Sequence, residues 1–401
     1  MLTVGLVLVL IPPTLMVLAY AGYPLLLYLW PKPRRTATEP RTDWPMLTIC
    51  VPVFNEERVV AGTIDRILSA DYPADRRGVL VISDASTDQT DAVVESYRDR
   101  GVRLVRLPTR GGKTAAENEA GRHLVGDLVV NMDASVEAPP GALKALIRAF
   151  DDPSVGVASG RDISVGDRAR EANVDESNYV GYEMWVRRLE TERGTIVGAS
   201  GCFYAIRRNL FDSIFPNALS RDFASPLIAR EMGYRSVSVE DAICYVGRTR
   251  SLRAEYRRKV RTMTRGLETL WYKRQLLNPF LHGRFAVFLI GHKLLRWLVF
   301  PSLVLAMAGL MMLAFSSPWG VLLAGAVLAG LAVGWLGYSW PEGRSVPRFL
   351  MLAGFAVSAN AAGLEAWIRA LRGELNPVWE PTRRPGQSRT EGPVPNERQS
   401  P

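Results

Sequence analysis

The chain has 401 residues, 48% of them apolar, with a formal net charge of +9. That length is too great for one small domain. The charge is local: Arg253–Arg296 holds 11 Lys and Arg against Glu255 and Glu268, a surplus of 11 − 2 = +9 that leaves the rest of the chain near neutral. A basic stripe beside apolar runs points to anionic headgroups or phosphorylated substrates, and the sequence carries none of the nucleic-acid-binding signatures. Cys50, Cys202 and Cys244 have no metal spacing and read as reduced, buried residues. Three scattered histidines give neither a triad nor a zinc cluster.

In chain order, Leu2–Trp30 is free of charge. At ~1.5 Å per residue it exceeds the ~30 Å bilayer core and reads as a transmembrane helix over residues 1–30. It lacks the basic n-region of a signal peptide and is too long for one. Pro31-Lys-Pro-Arg-Arg35 follows at once, and the positive-inside tendency puts that side, with the middle of the chain, in the cytosol. A Pro-rich, charged linker fills 31–45. Residues 46–250 alternate short apolar runs with helical periodicity: strands at Leu47–Val51, Val79–Ile82, Val102–Leu107, Leu128–Met132, Val155–Ser159, Phe203–Ile206 and Val237–Cys244. Helices are expected at Val59–Ser69, Asp88–Tyr97, Thr114–Leu124, Pro139–Phe150, Tyr182–Glu190 and around Leu227–Met232. This alternation predicts an α/β domain with a largely parallel sheet.

Residues 251–296 are basic and amphipathic. Tyr256, Val260, Met263, Leu267, Leu270 and Trp271 recur at spacings of three and four within Arg253–Leu277, the pattern of an interfacial helix. Residues 297–370 hold Trp297–Phe315 and Trp319–Trp340, both uncharged, and the shorter Phe349–Leu364. Tryptophans at 297, 319, 335, 340 and 367 suit an interfacial belt. Three C-terminal spans would put the C-terminus outside, whereas Arg369, Arg372, Arg383 and Arg384 argue for inside. Either Phe349–Leu364 is re-entrant or the charge rule is broken here. The tail, 371–401, reads as disordered from its Pro, Arg, Gly and Glu content.

The chemistry sits where strands end. Thr48-Ile-Cys-Val-Pro-Val-Phe-Asn-Glu-Glu57 and Val79-Leu-Val-Ile-Ser-Asp-Ala-Ser-Thr-Asp88 each run from an apolar strand into an acidic loop, describing a βαβ unit with its ligand at the strands' carboxyl ends. A Rossmann oxidoreductase needs G-x-G-x-x-G at the first of these turns and is excluded. Thr109-Arg-Gly-Gly-Lys-Thr-Ala-Ala-Glu-Asn118 lacks P-loop spacing, which excludes that class of ATPase. The uncharged spans Leu2–Trp30, Trp297–Phe315 and Trp319–Trp340 argue against a transporter or receptor whose cytosolic domain merely binds nucleotides. Asp133 ends the strand in Leu128-Val-Val-Asn-Met-Asp-Ala-Ser135, where a carboxylate facing a diphosphate needs a divalent cation between the two anions.

These segments, in this order, resemble the membrane-bound family 2 glycosyltransferases of the polysaccharide synthase and hyaluronan synthase-like group, over about residues 46–300. The resemblance implies a GT-A fold and transfer of a sugar from a nucleoside-diphosphate sugar with inversion. The acceptor would be a lipid-linked or membrane-proximal glycan in envelope or exopolysaccharide synthesis, at the cell membrane; a processive synthase that extrudes its polymer is the alternative. It makes Asp84 the acid that hydrogen-bonds the nucleobase, with Pro52 and Glu56 in the nucleotide-binding loop. Lys113, from the G-K-x-x-A-x-N stretch, lies near the diphosphate or acceptor. The family's D-x-D becomes Asp133 and Ser135, so Mg²⁺ or Mn²⁺ would be held by Asp133 with Ser135, Glu137 or water as the second ligand. Gly198, Ser200 and Gly201, in Gly198-Ala-Ser-Gly-Cys-Phe-Tyr-Ala-Ile-Arg-Arg208, fall on the acceptor side. Asp222, in Leu219-Ser-Arg-Asp-Phe223, becomes the catalytic base, with Arg221 in place of the family's first acid. Processive members carry Q-x-x-R-W where this chain has Arg258-Lys-Val-Arg-Thr262; Arg261 would bind the pyrophosphate, and short products are expected.

Overall fold

The computed structural model describes residues 1–34, 43–165, 174–212, 216–247, 252–341 and 346–374. Most of the linker expected at 31–45 and nearly all of the expected disordered tail lie outside them. One mixed sheet organises the polar half. Its strands are β1 (Leu47–Val53), β2 (Arg77–Ser83), β3 (Val102–Arg106), β4 (Leu128–Met132), β5 (Val136–Glu137), β6 (Val155–Val165), β7 (Phe203–Arg207) and β8 (Arg235–Gly247). They lie in the order β3-β2-β1-β4-β7-β6-β8-β5. The N-terminal four pair in parallel, Cys50 standing beside Leu80 and Asn131. β7 enters antiparallel to both β4 and β6. Buried residues on the two faces form separate clusters, one built on Ile49, Val51, Val81, Val130 and Phe150, the other on Leu80, Val129, Tyr204, Ile206 and Phe211.

Four differences from the sequence expectations bear on the site. β1 does not stop before Pro52 but runs through it to Val53, because pairing with β4 ends at Cys50 and the missing N–H meets no partner there. β6 continues past Ser159 to Val165, shifting register between Ser159 and Arg161 to follow the long β8. β5 was not expected; it pairs Glu137 opposite Tyr245. Helix 221–231 starts at Arg221 rather than beyond Asp222, with Ser220 as its N-cap position and Pro226 inside it.

Among the described residues, four helices are long and apolar enough to cross a membrane: Leu2–Leu29, Arg284–Ser316, Pro318–Tyr338 and Arg348–Arg372. The last outruns the expected Phe349–Leu364 and packs on the basic helix Leu252–Tyr272, where the Tyr256 hydroxyl meets Glu365 and Lys259 lies 3.9 Å from the Phe355 ring. That basic helix ends at Tyr272 and a short 3₁₀ turn, Arg274–Leu277, follows. Its buried stripe includes Val260, Leu267 and Leu270, whereas Trp271 is exposed. The first span touches the second at Gly5 and Gly309. A β-carbon on Gly309 would stand 2.7 Å from the Gly5 carbonyl oxygen, so only the small residue permits this approach.

Candidate active site

The loops after β1 and β2 hold each other. The Asn55 side chain accepts from the Thr87 backbone N–H at 2.8 Å, and the Asn55 N–H donates to Ser86 Oγ at 3.2 Å. Asn55 (φ 53°) and Ala85 (φ 56°) are the non-glycine residues with left-handed backbone among those described. Such conformations persist where the surroundings dictate them and concentrate at functional sites. Glu56 is buried; its N–H donates to Thr90 Oγ1 at 2.8 Å and its carbonyl accepts from Val59 and Val60. Pro52 lies within the buried β1, next to this loop.

Asp84 is wholly buried. Its two carboxylate oxygens accept the backbone N–H groups of Gly111 at 2.7 Å and Gly112 at 2.9 Å. The acid thus pins the glycine turn that precedes Lys113, whose helix runs to Ala120. The Arg110 guanidinium lies 3.7 Å from the Phe54 ring at the edge of the same loops.

The Lys113 ammonium donates to Asp133 Oδ1 at 2.5 Å and to the Gly201 carbonyl at 2.6 Å. Burial alone would pull its pKa down; Asp133, Glu117 and Asp222 around it hold it above the ordinary lysine value. Gly201 then leads to Asp222, since a β-carbon on Gly201 would stand 2.7 Å from Asp222 Oδ2. Asp222 Oδ1 accepts from Ser220 Oγ, and the Asp222 backbone carbonyl accepts from the Ala199 N–H at 3.3 Å. Asp222 sits in the first helical turn, where the helix dipole favours its charge. Asp84, Lys113, Asp133, Gly201 and Asp222 therefore form one chain of contacts.

Other expected residues fall differently. Ser200 is turned into the domain: its hydroxyl donates to the half-buried Asp162 at 2.6 Å and accepts from the Cys202 N–H. Ser135 lies in the turn closed by the Val136 N–H on the Asp133 carbonyl. Glu137 is exposed on β5. Arg221 does not face Asp222. Its guanidinium donates to the Phe211 carbonyl at 2.9 Å and to Asn118 Oδ1 at 3.0 Å, and stacks on the Phe211 ring. Arg261 is half-buried; Arg265, one turn on, reaches the Asp222 loop. Arg265 donates to Thr114 Oγ1 at 2.6 Å and to the Leu219 carbonyl at 2.5 Å. Sequence reading missed Arg265, as well as Glu117, whose carboxyl is buried beneath Lys113 with Oε1 unpartnered. Burial raises Glu117, against the pull of Lys113 and Arg221.

Residues 48–215 match the model of glycosyl transferase family 2. The chain carries a family 2 glycosyltransferase domain. The glycosyltransferase domain and its helices superpose on a mannosyltransferase from Pyrobaculum calidifontis, solved with GDP-Man and Mn²⁺, with a TM-score of 0.68 over 92% of this chain and 99% of that one, at 23% identity. That likeness establishes the GT-A fold. Among curated relatives, a beta-monoglucosyldiacylglycerol synthase from Synechocystis sp. is 31% identical over 133 residues, 32% of this chain and 28% of the relative. An N-acetylglucosaminyltransferase from Bradyrhizobium diazoefficiens is 26% identical over 296 residues, 69% of this chain and 59% of the relative. The chain thus spans between about a quarter and three fifths of the length of these two relatives.

The donor set of this glycosyltransferase domain bears on a divalent cation. Among the described residues no three His, Cys, Asp or Glu side chains gather as a self-sufficient metal site. Mg²⁺ and Mn²⁺ need less from the protein when a diphosphate and waters fill the remaining positions. Asp133 fits that demand: Lys113 occupies Oδ1, while Oδ2 has no hydrogen-bond partner among the described residues, and the side chain is 27% exposed.

Proposed function

We propose that the protein is a membrane-bound, inverting glycosyltransferase that moves a sugar from a nucleoside-diphosphate sugar to a lipid-linked or membrane-proximal acceptor in envelope or exopolysaccharide synthesis. The observation that carries this reading is the contact chain from Asp84 through Lys113 and Asp133 to Asp222, set at strand ends and continuous with apolar helices. Asp84 and the loop Pro52–Glu56 shape the nucleotide pocket, Asp84 by holding the glycine turn. Lys113 presents its ammonium to the diphosphate once Asp133 shares it. A divalent cation on Asp133, with Ser135, Glu137 or water completing its shell, would supply Lewis-acid charge at the departing diphosphate.

Asp222 works on the acceptor. Its carboxylate takes the proton of the acceptor hydroxyl as that oxygen bonds to the anomeric carbon, and the bond from that carbon to the β-phosphate oxygen breaks with its electron pair on the leaving nucleoside diphosphate. One displacement gives inversion. General-base help of this kind contributes about 10²–10⁴ in rate. Ser220 orients the carboxylate, and Gly201 leaves the space beside Oδ2. Arg265 holds Thr114 and Leu219 and so fixes the loop on which Asp222 stands. The domain faces the cytosol, the side to which the positive-inside tendency assigns the basic residues after the first span.

The test is nucleoside-diphosphate release by the purified full chain with UDP-Glc, UDP-GlcNAc and GDP-Man, with product size measured. One donor is expected to give metal-dependent release and a product of one or a few added sugars. Release from none of the donors in the presence of membrane lipid extract overturns the reading, and a high-molecular-weight polymer overturns the short-product part of it.

A further inference from the structure

A buried ionic cluster joins the glycosyltransferase domain to the membrane helices, and the site above leaves it unused. The helix Arg284–Ser316 has 33 residues. Its apolar part, Trp297–Ser316, already covers ~30 Å at ~1.5 Å per residue, so the turns before Trp297 stand on the domain side of the bilayer core. Those turns include a π-helical stretch, Ile290–Leu294, a feature frequent at functional sites.

His292, wholly buried there, bridges two acids of the domain helix Val174–Arg193: Nδ1 lies 2.7 Å from Glu190 Oε1 and Nε2 lies 2.8 Å from Glu183 Oε1. The Tyr23 hydroxyl of the first span donates to Glu190 at 2.5 Å, and Arg296 donates to Glu183 Oε2 at 2.8 Å. Burial would raise Glu183, but His292, Lys293 and Arg296 hold it well below the usual carboxylate range.

Both oxygens of Glu183 are therefore taken at 2.8 Å, and Lys293 makes only a longer hydrogen bond and ion pair, 3.4 Å, to the shared Oε1. Among the described residues its ammonium has no closer polar partner. Its side chain is only 18% exposed, an expensive place for a charge without close ligands.

What Lys293 does touch is the reaction site. A β-carbon on Gly198 would lie 3.3 Å from Lys293 Cε and 3.5 Å from the Phe223 ring, and the ammonium is 5.9 Å from the centre of that ring. Phe223 follows Asp222 directly, and Ala199, next to Gly198, bonds the Asp222 carbonyl. Lys113 and Lys293 thus flank Asp222. Lys113 is tied to Asp133 and the nucleotide loops; Lys293 rises from the helix that enters the membrane.

We propose that Lys293 is an anion site on the acceptor side, which takes the phosphate of a lipid acceptor and holds that lipid beside Asp222. The inference rests on the acceptor reading given above and narrows it to phosphate-bearing lipids. The phosphate could belong to an isoprenoid phosphate that carries a sugar or to a phosphoglyceride with a hydroxylated headgroup, each of which also brings a hydroxyl for Asp222; neutral lipids such as diacylglycerol offer Lys293 no anion.

The test is binding, independent of turnover. The full chain in detergent is titrated with farnesyl phosphate and farnesol, and with short-chain phosphatidylglycerol and diacylglycerol, each followed by thermophoresis. The wild type is expected to bind one phosphate lipid at least 10-fold more tightly than its neutral counterpart, and which pair shows the preference identifies the source. Lys293→Met is expected to abolish the preference and Lys293→Arg to keep most of it, with unchanged melting temperatures excluding loss of fold. Equal binding of phosphate and neutral lipids by the wild type, or an undiminished preference in a folded Lys293→Met protein, overturns the proposal. Failure of donor turnover with every sugar nucleotide would overturn the glycosyltransferase reading and leave the phosphate preference standing.

Discussion

Asp84→Ala separates two accounts of the same acid. The resemblance makes Asp84 a nucleobase ligand; its geometry makes it the clamp of Gly111 and Gly112, with both carboxylate oxygens engaged and none of its surface exposed. Alanine would leave two N–H groups without acceptors, that of the buried Gly112 and that of the half-buried Gly111. Each such orphan costs about 1–3 kcal/mol, so the variant should lose about 2–6 kcal/mol. For a domain of this size, roughly 2–4 °C of melting temperature follows each kcal/mol, which puts the expected fall at about 4–24 °C. Thermal unfolding of the full chain in detergent measures this, and calorimetric titration with UDP and GDP measures nucleotide affinity alongside. The clamp predicts that stability and affinity fall together, because the loop carrying Lys113 is released. A melting temperature within a degree of wild type, with nucleotide affinity gone, refutes the clamp and restores the direct nucleobase contact.

Burial raises Glu117, so the folded chain keeps that proton to higher pH than the unfolded chain does. Stability should therefore decline as pH rises from the ordinary glutamate range through the raised native value, and Glu117→Gln should flatten that decline in melting temperature between pH 5 and pH 8; an identical slope in the variant would discard the assignment. Asp133→Ala should remove the dependence of nucleotide-sugar affinity on Mg²⁺ or Mn²⁺, read by titration with and without EDTA, and metal-dependent binding that survives the change locates the ion elsewhere. The protein should stay in the membrane pellet after carbonate washing, and recovery in the supernatant without detergent contradicts the reading of four spans.

Much of this was legible because apolar runs bounded by turn residues are strong local signals. Leu128–Met132 appears as a strand with its expected bounds, Val79–Ile82 lies within β2, and all but the last residue of Leu2–Trp30 appears as a long helix, Leu2–Leu29. What escaped depends on partners distant in sequence. β5 is two residues long and exists because β8 lies beside it. The outer half of β6 contains Arg161 and Asp162, and only its register with Ile243 and Cys244 makes it a strand. Pro226, of a residue type that disfavours helix interiors, sits inside the helix whose first turn carries Asp222. Asp133, Lys113 and Asp222 were each visible as acid or lysine in a motif, but their chain of contacts was not. Arg265 gave no local signal distinguishing it from Arg257 or Arg261, since its role comes from reaching across to Thr114 and Leu219. Arg221 stands next to Asp222 in sequence, where the resemblance has an acid. Tertiary packing sends its side chain to Phe211 and Asn118 instead.

The central claim is that Asp222 is the base and Asp133 belongs to the donor side. The most direct measurement is Asp222→Asn in the full chain, with donor binding by titration and sugar transfer by product mass on the same preparation. Asparagine keeps the shape and an acceptor for Ser220 but cannot take the acceptor's proton. Donor affinity is expected within about twofold of wild type and transfer reduced by about 10²–10⁴. Transfer at the wild-type rate with intact binding would contradict it and move the base elsewhere in the site.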